Sequence, residues 1–254
     1  MSPTLREAAA QHLMAARRAR RPGDRVPESC RPADCEDALS IQGRVSEILG
    51  DSIGGWKAAL PSPGKISLAP IYASTIYTTS PCPVLTCGAT MSIEPEVAFI
   101  LGRDLGPRAE AYTETEIRSA ISETRLVLEL LRGRYADQGS VSFPEKLADG
   151  MTNEGLFVGP IVPRGLDQAL ESLPITIEER DGPPFIRDGL HPSGHPLAPL
   201  TWLANFLAPR GEGLASGQIV TTGSYCGVLE VPVGAPLRIT FDGLGTLSVQ
   251  FVSS

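Results

Sequence analysis

Two glutamates stand two residues apart inside a segment whose other positions suit burial: Ser92-Ile93-Glu94-Pro95-Glu96-Val97-Ala98-Phe99-Ile100-Leu101. Residues i and i+2 of a strand project from one face. A strand here therefore sets the Glu94 and Glu96 carboxylates side by side, in line with Ala98 and Ile100. Two carboxylates in apolar surroundings repel each other, and each loses its hydration. A bound cation removes both penalties. A third acid has the same setting, Glu129 within Leu126-Val127-Leu128-Glu129-Leu130-Leu131. Oxygen donors with no convergent His or Cys suit a hard ion such as Mg2+ or Mn2+. The ordinary reading of an isolated Glu-x-Glu is a solvated strand face, since acids are rarely buried. Three acids, each embedded in a hydrophobic run, favour a metal centre.

The rest of the chain narrows the class. It has 254 residues, 42% hydrophobic and 20% charged, enough for a sizeable core. A net charge of -7 argues against general nucleic-acid binding. The basic run Arg17-Arg18-Ala19-Arg20-Arg21 reads as cations at the C-terminal end of a first helix, where the dipole favours them. No run approaches the ~20 apolar residues of a membrane span, and the N-terminus lacks the apolar core of a signal peptide, so a cytoplasmic protein is expected. Five cysteines, an odd number, fit reduced thiols. Neither Cys30 and Cys35 nor Cys82 and Cys87 have Cys-x-x-Cys spacing, which disfavours zinc and a cysteine nucleophile.

Thr4-x-x-Glu7 is a capping-box pattern opening a first helix that Pro22-Gly23 ends. Asp34 to Leu49 reads as a second helix stopped by Gly50. Ser52 to Leu60 reads as a short strand holding Trp56 and Lys57. Residues 61–79, rich in Pro, Ser and Thr, read as a loop crossing to the main domain, with a boundary near residue 70: an N-terminal helical region with a short strand (1–70) and a catalytic domain (71–254). Beyond the strand at 92–101, Thr113-x-x-Glu116 opens a further helix, 124–131 is a buried strand, and 132–153 is a polar loop suited to an active site. A strand at 155–162 follows, then a hairpin around Asp181-Gly182, a helix at Pro196 to Leu207, and strands near 218–223, 236–241 and 245–252. Many short strands with few helices predict an α+β architecture around a rolled, mixed sheet. The absence of GxGxxG, GxxxxGK[ST] and Gly-x-Ser-x-Gly lowers nucleotide-dependent chemistry and serine hydrolysis as readings.

Ile93-Glu94-Pro95-Glu96-Val97-Ala98-Phe99-Ile100-Leu101-Gly102-Arg103-Asp104-Leu105 resembles the metal motif of the 2-keto-4-pentenoate hydratase and 4-oxalocrotonate decarboxylase family, part of the fumarylacetoacetate hydrolase superfamily. Gly55-Trp56-Lys57-Ala58-Ala59-Leu60 is similar to that family's Gly-Tyr-Lys-Ile-Gly-Leu. Leu128-Glu129-Leu130-Leu131-Arg132-Gly133-Arg134-Tyr135 resembles Leu-Glu-Ile-Val-Asp-Ser-Arg-Ile, and Leu147-Ala148-Asp149-Gly150 resembles Ile-Ala-Asp-Asn. Gly194-His195-Pro196-Leu197, Trp202-Leu203-Ala204-Asn205, Val220-Thr221-Thr222-Gly223-Ser224 and Phe241-Asp242-Gly243-Leu244-Gly245 also match, in the family's order along nearly the whole chain.

The resemblance implies a fold of the fumarylacetoacetate hydrolase C-terminal-domain type and a magnesium- or manganese-dependent enzyme acting on a small 2-keto acid. Glu94, Glu96 and Glu129 would be its metal ligands, Lys57 a catalytic or substrate-positioning residue, and Leu60, Gly223 and Ser224 would line the substrate. His195 would start a helix and Trp202 would belong to the core. By analogy alone the chain would be a homo-oligomer. Hydration of a 2-hydroxy-2,4-dienoate is the leading expectation, decarboxylation of a 2-oxo diacid such as 4-oxalocrotonate the second. Carbon–carbon bond hydrolysis is disfavoured because the only early histidine is His12, in the first helix. A non-catalytic partner subunit is a further alternative, against which the retained glutamates and Lys57 argue. Three departures stand out. The Asp-Ser-Arg triplet has become Arg132-Gly133-Arg134, Asp-Asn has become Asp149-Gly150, and 61–79 contains no acidic residue.

Overall fold

A computed structural model describes residues 1–86, 88–180 and 182–254. Helix α1, Pro3–Ala19, starts at Ser2, whose hydroxyl accepts the Leu5 N–H; the Thr4-x-x-Glu7 pattern lies inside the helix. The chain leaves α1 at Arg20, in the left-handed region, ahead of Pro22-Gly23. Helix α2, Cys35–Leu49, has Asp34 as its N-cap and Gly50 as a left-handed C-cap. These helices pack on a short helix α4, Phe143–Ala148, around Ala9, Leu13, Ile41, Val45 and Leu147. That helix lies within the segment expected as loop (132–153). Its signal, the capping box of Ser142 and Glu145, is in the sequence.

The main sheet holds eight strands. Its order runs from β2 (Lys65–Tyr72) through β1 (Ile53–Ser62), β10 (Ile219–Thr221), β5 (Thr90–Leu101), β6 (Ile121–Leu131) and β7 (Asn153–Ile161) to β3 (Ile76–Tyr77), with β11 (Leu229–Pro232) also paired to β5. A second sheet runs in the order β4 (Cys82–Val84), β13 (Gly245–Ser253), β12 (Pro236–Phe241), β8 (Ser172–Glu179), β9 (Phe185–Leu190). Parallel pairs (β1 with β10, β3 with β7, β4 with β13) stand among antiparallel ones, so the sheets are mixed as expected. Phe99 and Leu128 from the first sheet and Ile239, Phe241 and Leu247 from the second are fully buried in one core. Helix α5 (Leu197–Leu207) buries Leu200 and Leu203 in it, and α3 (Glu114–Ala120), opened by the Thr113 capping box, adds Ile117.

Two expectations need correction. Residues 61–79 are not a crossing loop, because β1 turns at Pro63-Gly64 into β2, with Ser62 opposite Lys65 and Gly64 at φ 72°. Pro70, the one proline within β2, is compatible with a strand because β2 is the sheet's edge, where a missing N–H breaks no ladder. A boundary near residue 70 would cut β2, and β1 lies in the same sheet as Glu94 and Glu96, so only the helices before β1 are set apart. The β8–β9 hairpin forms, with Ile177 opposite Phe185. Asp181 of the expected turn lies outside the described residues, as does Cys87.

One irregularity of β5 positions everything that follows. Its early half pairs with β11 over residues 90–93 and its late half with β10 over 98–100, leaving 94–97 without a strand on that side. The loop after β10 fills the interval: the Pro95 carbonyl accepts the Tyr225 N–H, and the Val97 carbonyl accepts the Thr222 hydroxyl. Pro95, which has no N–H to give, thus sits where no ladder needs one.

Candidate active site

Strand parity and register bring five polar groups to one face of the main sheet. Glu94 and Glu96 alternate with Pro95 along β5, and Glu129 lies directly opposite Glu94 on β6. Lys57 of β1 pairs with Thr221 of β10, and Thr221 with Ala98, two residues from Glu96. Trp56, Val220 and Phe99 point to the other face, into the core. Beyond the acids the same face carries Ile71, Ala98, Val127, Leu156 and Ile219, a small apolar cluster.

Carboxylate oxygens of Glu94, Glu96 and Glu129 all lie within 4.8 Å of one another. Glu96 and Glu129 are buried, at 2% and 0% exposure, and Glu94 is half-buried. Each acid is held differently. Glu96 Oε2 accepts the Thr221 hydroxyl and, at 2.7 Å, the Gly223 N–H. Glu129 Oε1 lies 2.6 Å from Lys57 Nζ and accepts Asn153 Nδ2 at 2.9 Å. Its Oε2 is buried with no partner among the described residues. Lys57 Nζ also donates to the Met151 carbonyl at 3.3 Å.

The electrostatics follow from this crowding. Burial, reinforced by the charges of Glu129 and Glu94, pushes Glu96 up to about 8. Burial and the Glu129 charge raise Glu94 as well. For Lys57, burial alone would lower the ammonium; the attraction of Glu129, then Glu94 and Glu96, outweighs it and holds the proton on. Fully ionised, three carboxylates and one ammonium would carry two negative charges, which a divalent cation balances. The donors are all carboxylate oxygens, and Glu129 Oε2 is a buried acceptor lacking a donor. The residues present therefore fit a hard divalent ion.

The segment behind Lys57 is strained. Gly150, Met151 and Thr152 all have positive φ, at 82°, 53° and 63°. Such conformations are uncommon for Met and costly for a β-branched Thr. They turn the Met151 carbonyl toward Lys57 and deliver Asn153 to Glu129. Asp149, just before, is buried against Arg134 at 2.5 Å, and Arg134 also reaches Glu154 at 2.6 Å. One of the departures thereby gains a physical account. Gly150 takes a left-handed position that Asn also tolerates. At Gly133 a Cβ would meet only the end of the flexible Gln138 side chain, so nothing in the structure explains that glycine.

The remaining expected residues divide. Gly223 is at the site through its N–H, and its φ of 121° together with Pro192 Cγ 2.9 Å from a would-be Cβ requires glycine. Ser224 Oγ is directed to the Pro95 and Gly227 carbonyls, which ties the loop to β5. Leu60 is exposed at the far end of β1, three residues beyond Lys57. His195 accepts the Leu197 N–H at the start of α5, and Trp202 stacks on Phe206 at 5.1 Å. Sequence reasoning did not single out Thr221, Asn153 or Met151. Thr221 lies inside the Val220–Ser224 motif and was within reach; the Met151 carbonyl, a backbone group, left no signal.

No protein-family model matches the chain. Among curated proteins, it is 26% identical to a 2-keto-4-pentenoate hydratase of Paraburkholderia xenovorans over 100% of this chain and 97% of that protein. It is also 26% identical to a 4-oxalocrotonate decarboxylase of Pseudomonas putida over 85% of each. Among solved structures, the 4-oxalocrotonate decarboxylase from Pseudomonas putida G7, complexed with magnesium and adipate, superposes with a TM-score of 0.79 at 21% identity, covering 99% of both chains. Fold and relatives together define an enzyme of the lyase class built on the fumarylacetoacetate hydrolase architecture. Within it, the chain is similar over nearly its whole length to 2-keto-4-pentenoate hydratases and 4-oxalocrotonate decarboxylases, at about 26% identity.

Proposed function

We propose that the chain is a metal-dependent hydratase that adds water to a 2-hydroxy-2,4-dienoate of the 2-keto-4-pentenoate type, giving a 4-hydroxy-2-keto acid. The observation that carries this reading is the convergence of Glu94, Glu96 and Glu129, two of them buried, with the Lys57 ammonium against Glu129. Those three residues would hold Mg2+ or Mn2+. When bound, such an ion supplies Lewis-acid stabilisation of the oxygen charge that develops on a chelated 2-oxo acid. The choice of ion is supported by the solved neighbours, one carrying magnesium and another, a maleylpyruvate hydrolase, carrying manganese and pyruvate.

The chain's own groups supply position and protons. Glu96 is clamped by Thr221 and Gly223, so its carboxylate cannot swing away. Lys57 has three N–H donors. One is taken by Glu129 and one by the Met151 carbonyl, which leaves the third for substrate. A held proton at Nζ, beside an apolar patch, suits delivery to carbon as the dienol becomes the keto form. The apolar cluster of Ala98, Val127 and Leu156 excludes water from the same face, which strengthens every charge interaction there. The same reading takes the enzyme to be a cytoplasmic homo-oligomer, for which light scattering at micromolar concentration is the check.

Decarboxylation of a 2-oxo diacid is the second reading, favoured by one observation. Arg132 stands where the family has an acid, and it lines the same cavity as Ser92, two residues from Glu94. With no acid in 61–79, a dianionic substrate meets less repulsion. Ultraviolet decay of 2-hydroxy-2,4-pentadienoate and CO2 release from 4-oxalocrotonate, each with Mg2+ or Mn2+, separate the two. Faster hydration supports the first reading and faster CO2 release the second. No metal-dependent turnover of either substrate would leave the partner-subunit alternative standing.

A further inference from the structure

We infer that the cavity between α2, α5 and the β1–β2 hairpin is a second ligand site, built for a small carboxylic acid with an apolar body. Its volume is about 510 Å3, within the range of small-molecule pockets. Its apolar wall is Leu39, Ile53, Leu68, Pro70, Phe206 and Leu207. It lies on the face of β1 opposite Lys57, so it is separate from the acid cluster, and the inference does not depend on the reaction assigned there.

Three observations point to a ligand. Trp56 lines the cavity at 7% exposure, and its indole Nε1–H is buried without a partner among the described residues. Arg6 lines it too, and its Nε–H is likewise buried and unpartnered. A buried donor without an acceptor is costly, and both groups are donors. Of the three acids that line it, Glu36 is held by Arg210, Glu47 by Arg44, and Glu212 is exposed to solvent. The lining therefore calls for an acceptor, and a carboxylate answers an indole N–H and a guanidinium together. The third observation is Gly43, in the interior of α2. It lines the cavity, its φ is not positive, and a Cβ there would meet nothing within 4 Å. Neither conformation nor crowding requires glycine, and glycine weakens a helix interior relative to alanine. Gly43 is exposed at the cavity's rim, so it leaves the mouth uncovered.

Trp56 is also the reporter. The chain has two tryptophans, so Trp202→Phe leaves Trp56 alone while keeping an aromatic ring on Phe206. This protein, held in EDTA so that no metal-dependent binding contributes, is titrated with benzoate, octanoate and benzyl alcohol. The expected result is a saturable change in Trp56 fluorescence with a dissociation constant at or below about 1 mM for at least one acid, and at least about tenfold weaker binding of the alcohol. An aromatic against an aliphatic preference identifies the body of the ligand. Gly43→Leu, which sets a side chain over the cavity mouth, is expected to abolish the response without lowering the melting temperature. No saturable change up to about 10 mM acid, or an unchanged constant in Gly43→Leu, overturns the inference. Should Gly43→Leu not fold, Arg6→Gln serves instead: acid binding weakened about tenfold is expected, and unchanged binding overturns it.

Discussion

Glu96→Gln should make the metal-free protein more stable at alkaline pH while removing its response to metal. Glu96 is 2% exposed, and its carboxyl is pushed up to about 8 by burial and by Glu129 and Glu94. An unfolded chain releases this proton near 4.5. Between those values the native state holds a proton that the unfolded state has lost, so the stability of the metal-free protein falls as pH rises from about 4.5 to 8. The full shift, at about 1.4 kcal/mol per pH unit, sets a ceiling of about 5 kcal/mol. The repulsion is shared by three carboxylates and eased by Lys57, so about 2 kcal/mol is the expected net effect of removing one charge. The substituted amide keeps an oxygen for the Thr221 hydroxyl and the Gly223 N–H. The assay is urea unfolding of parent and variant at pH 5.5 and 8.5, in EDTA and again in MgCl2. In EDTA the variant should match the parent at the lower pH and exceed it at the higher. Metal at about 100 times its Kd should add about 2.7 kcal/mol to the parent and almost nothing to the variant. A variant less stable than the parent at pH 8.5 in EDTA would refute the reasoning, because Glu96 would then be a structural acceptor and not a charge awaiting a partner.

Lys57→Ala should lower turnover by about 10²–10⁴-fold without weakening metal affinity measured by calorimetry, since a cation next to the ligands is lost; near-normal turnover would exclude a role in proton transfer. His191 is 1% exposed and held down to about 4, first by burial and then by His195. Its depressed value contributes stability that is present above about 6.5 and is lost as pH falls toward 4, at most about 3 kcal/mol. His191→Phe, which keeps the ring against Tyr225, should flatten that acid limb in a pH series of urea melts. Thr152→Gly should raise unfolding free energy by about 1 kcal/mol by relieving a β-branched residue at positive φ, and lower turnover by loosening the Met151 carbonyl on Lys57. Gly223→Ala should cost more than about 2 kcal/mol and weaken metal binding, because the shift away from Pro192 carries the N–H off Glu96.

The acids were legible because they violate a strong rule. Glutamates do not belong in apolar strands, so Glu94, Glu96 and Glu129 stood out before any pairing was known. Strand parity alone then aligned two of them, and register supplied the third. The helices at 34–49 and 196–207 were readable for the ordinary reason that apolar spacing and stop signals agree. Strand β2 was not, because Ser67 and Pro70, after the Pro61-Ser62-Pro63-Gly64 stretch, imitate a loop, and only its place at a sheet edge makes Pro70 harmless. The boundary near residue 70 failed with it. What holds Lys57 was hidden for another reason. A backbone carbonyl presented by three consecutive left-handed residues is a property of conformation, and only Gly150 hinted at it. Ser224 illustrates the converse: a residue in a recognisable motif whose hydroxyl is spent on the loop that carries it.

The missing rungs of β5 at residues 94–97 separate two jobs that most sheets combine. Strand registry there is fixed by β11 on one side of the interval and β10 on the other, so the acids keep their spacing whatever the intervening loop does. Thr221 at the end of β10 and Gly223 just beyond it clamp Glu96, and Ser224 and the buried Tyr225 tie the loop to the Pro95 carbonyl; only residues 226–228 answer to no ladder. Their length and chemistry can change without moving a carboxylate. A scaffold arranged this way can exchange one substrate side chain for another while its charge-bearing centre stays put, and Val228, exposed in that stretch, marks where such exchange is least constrained.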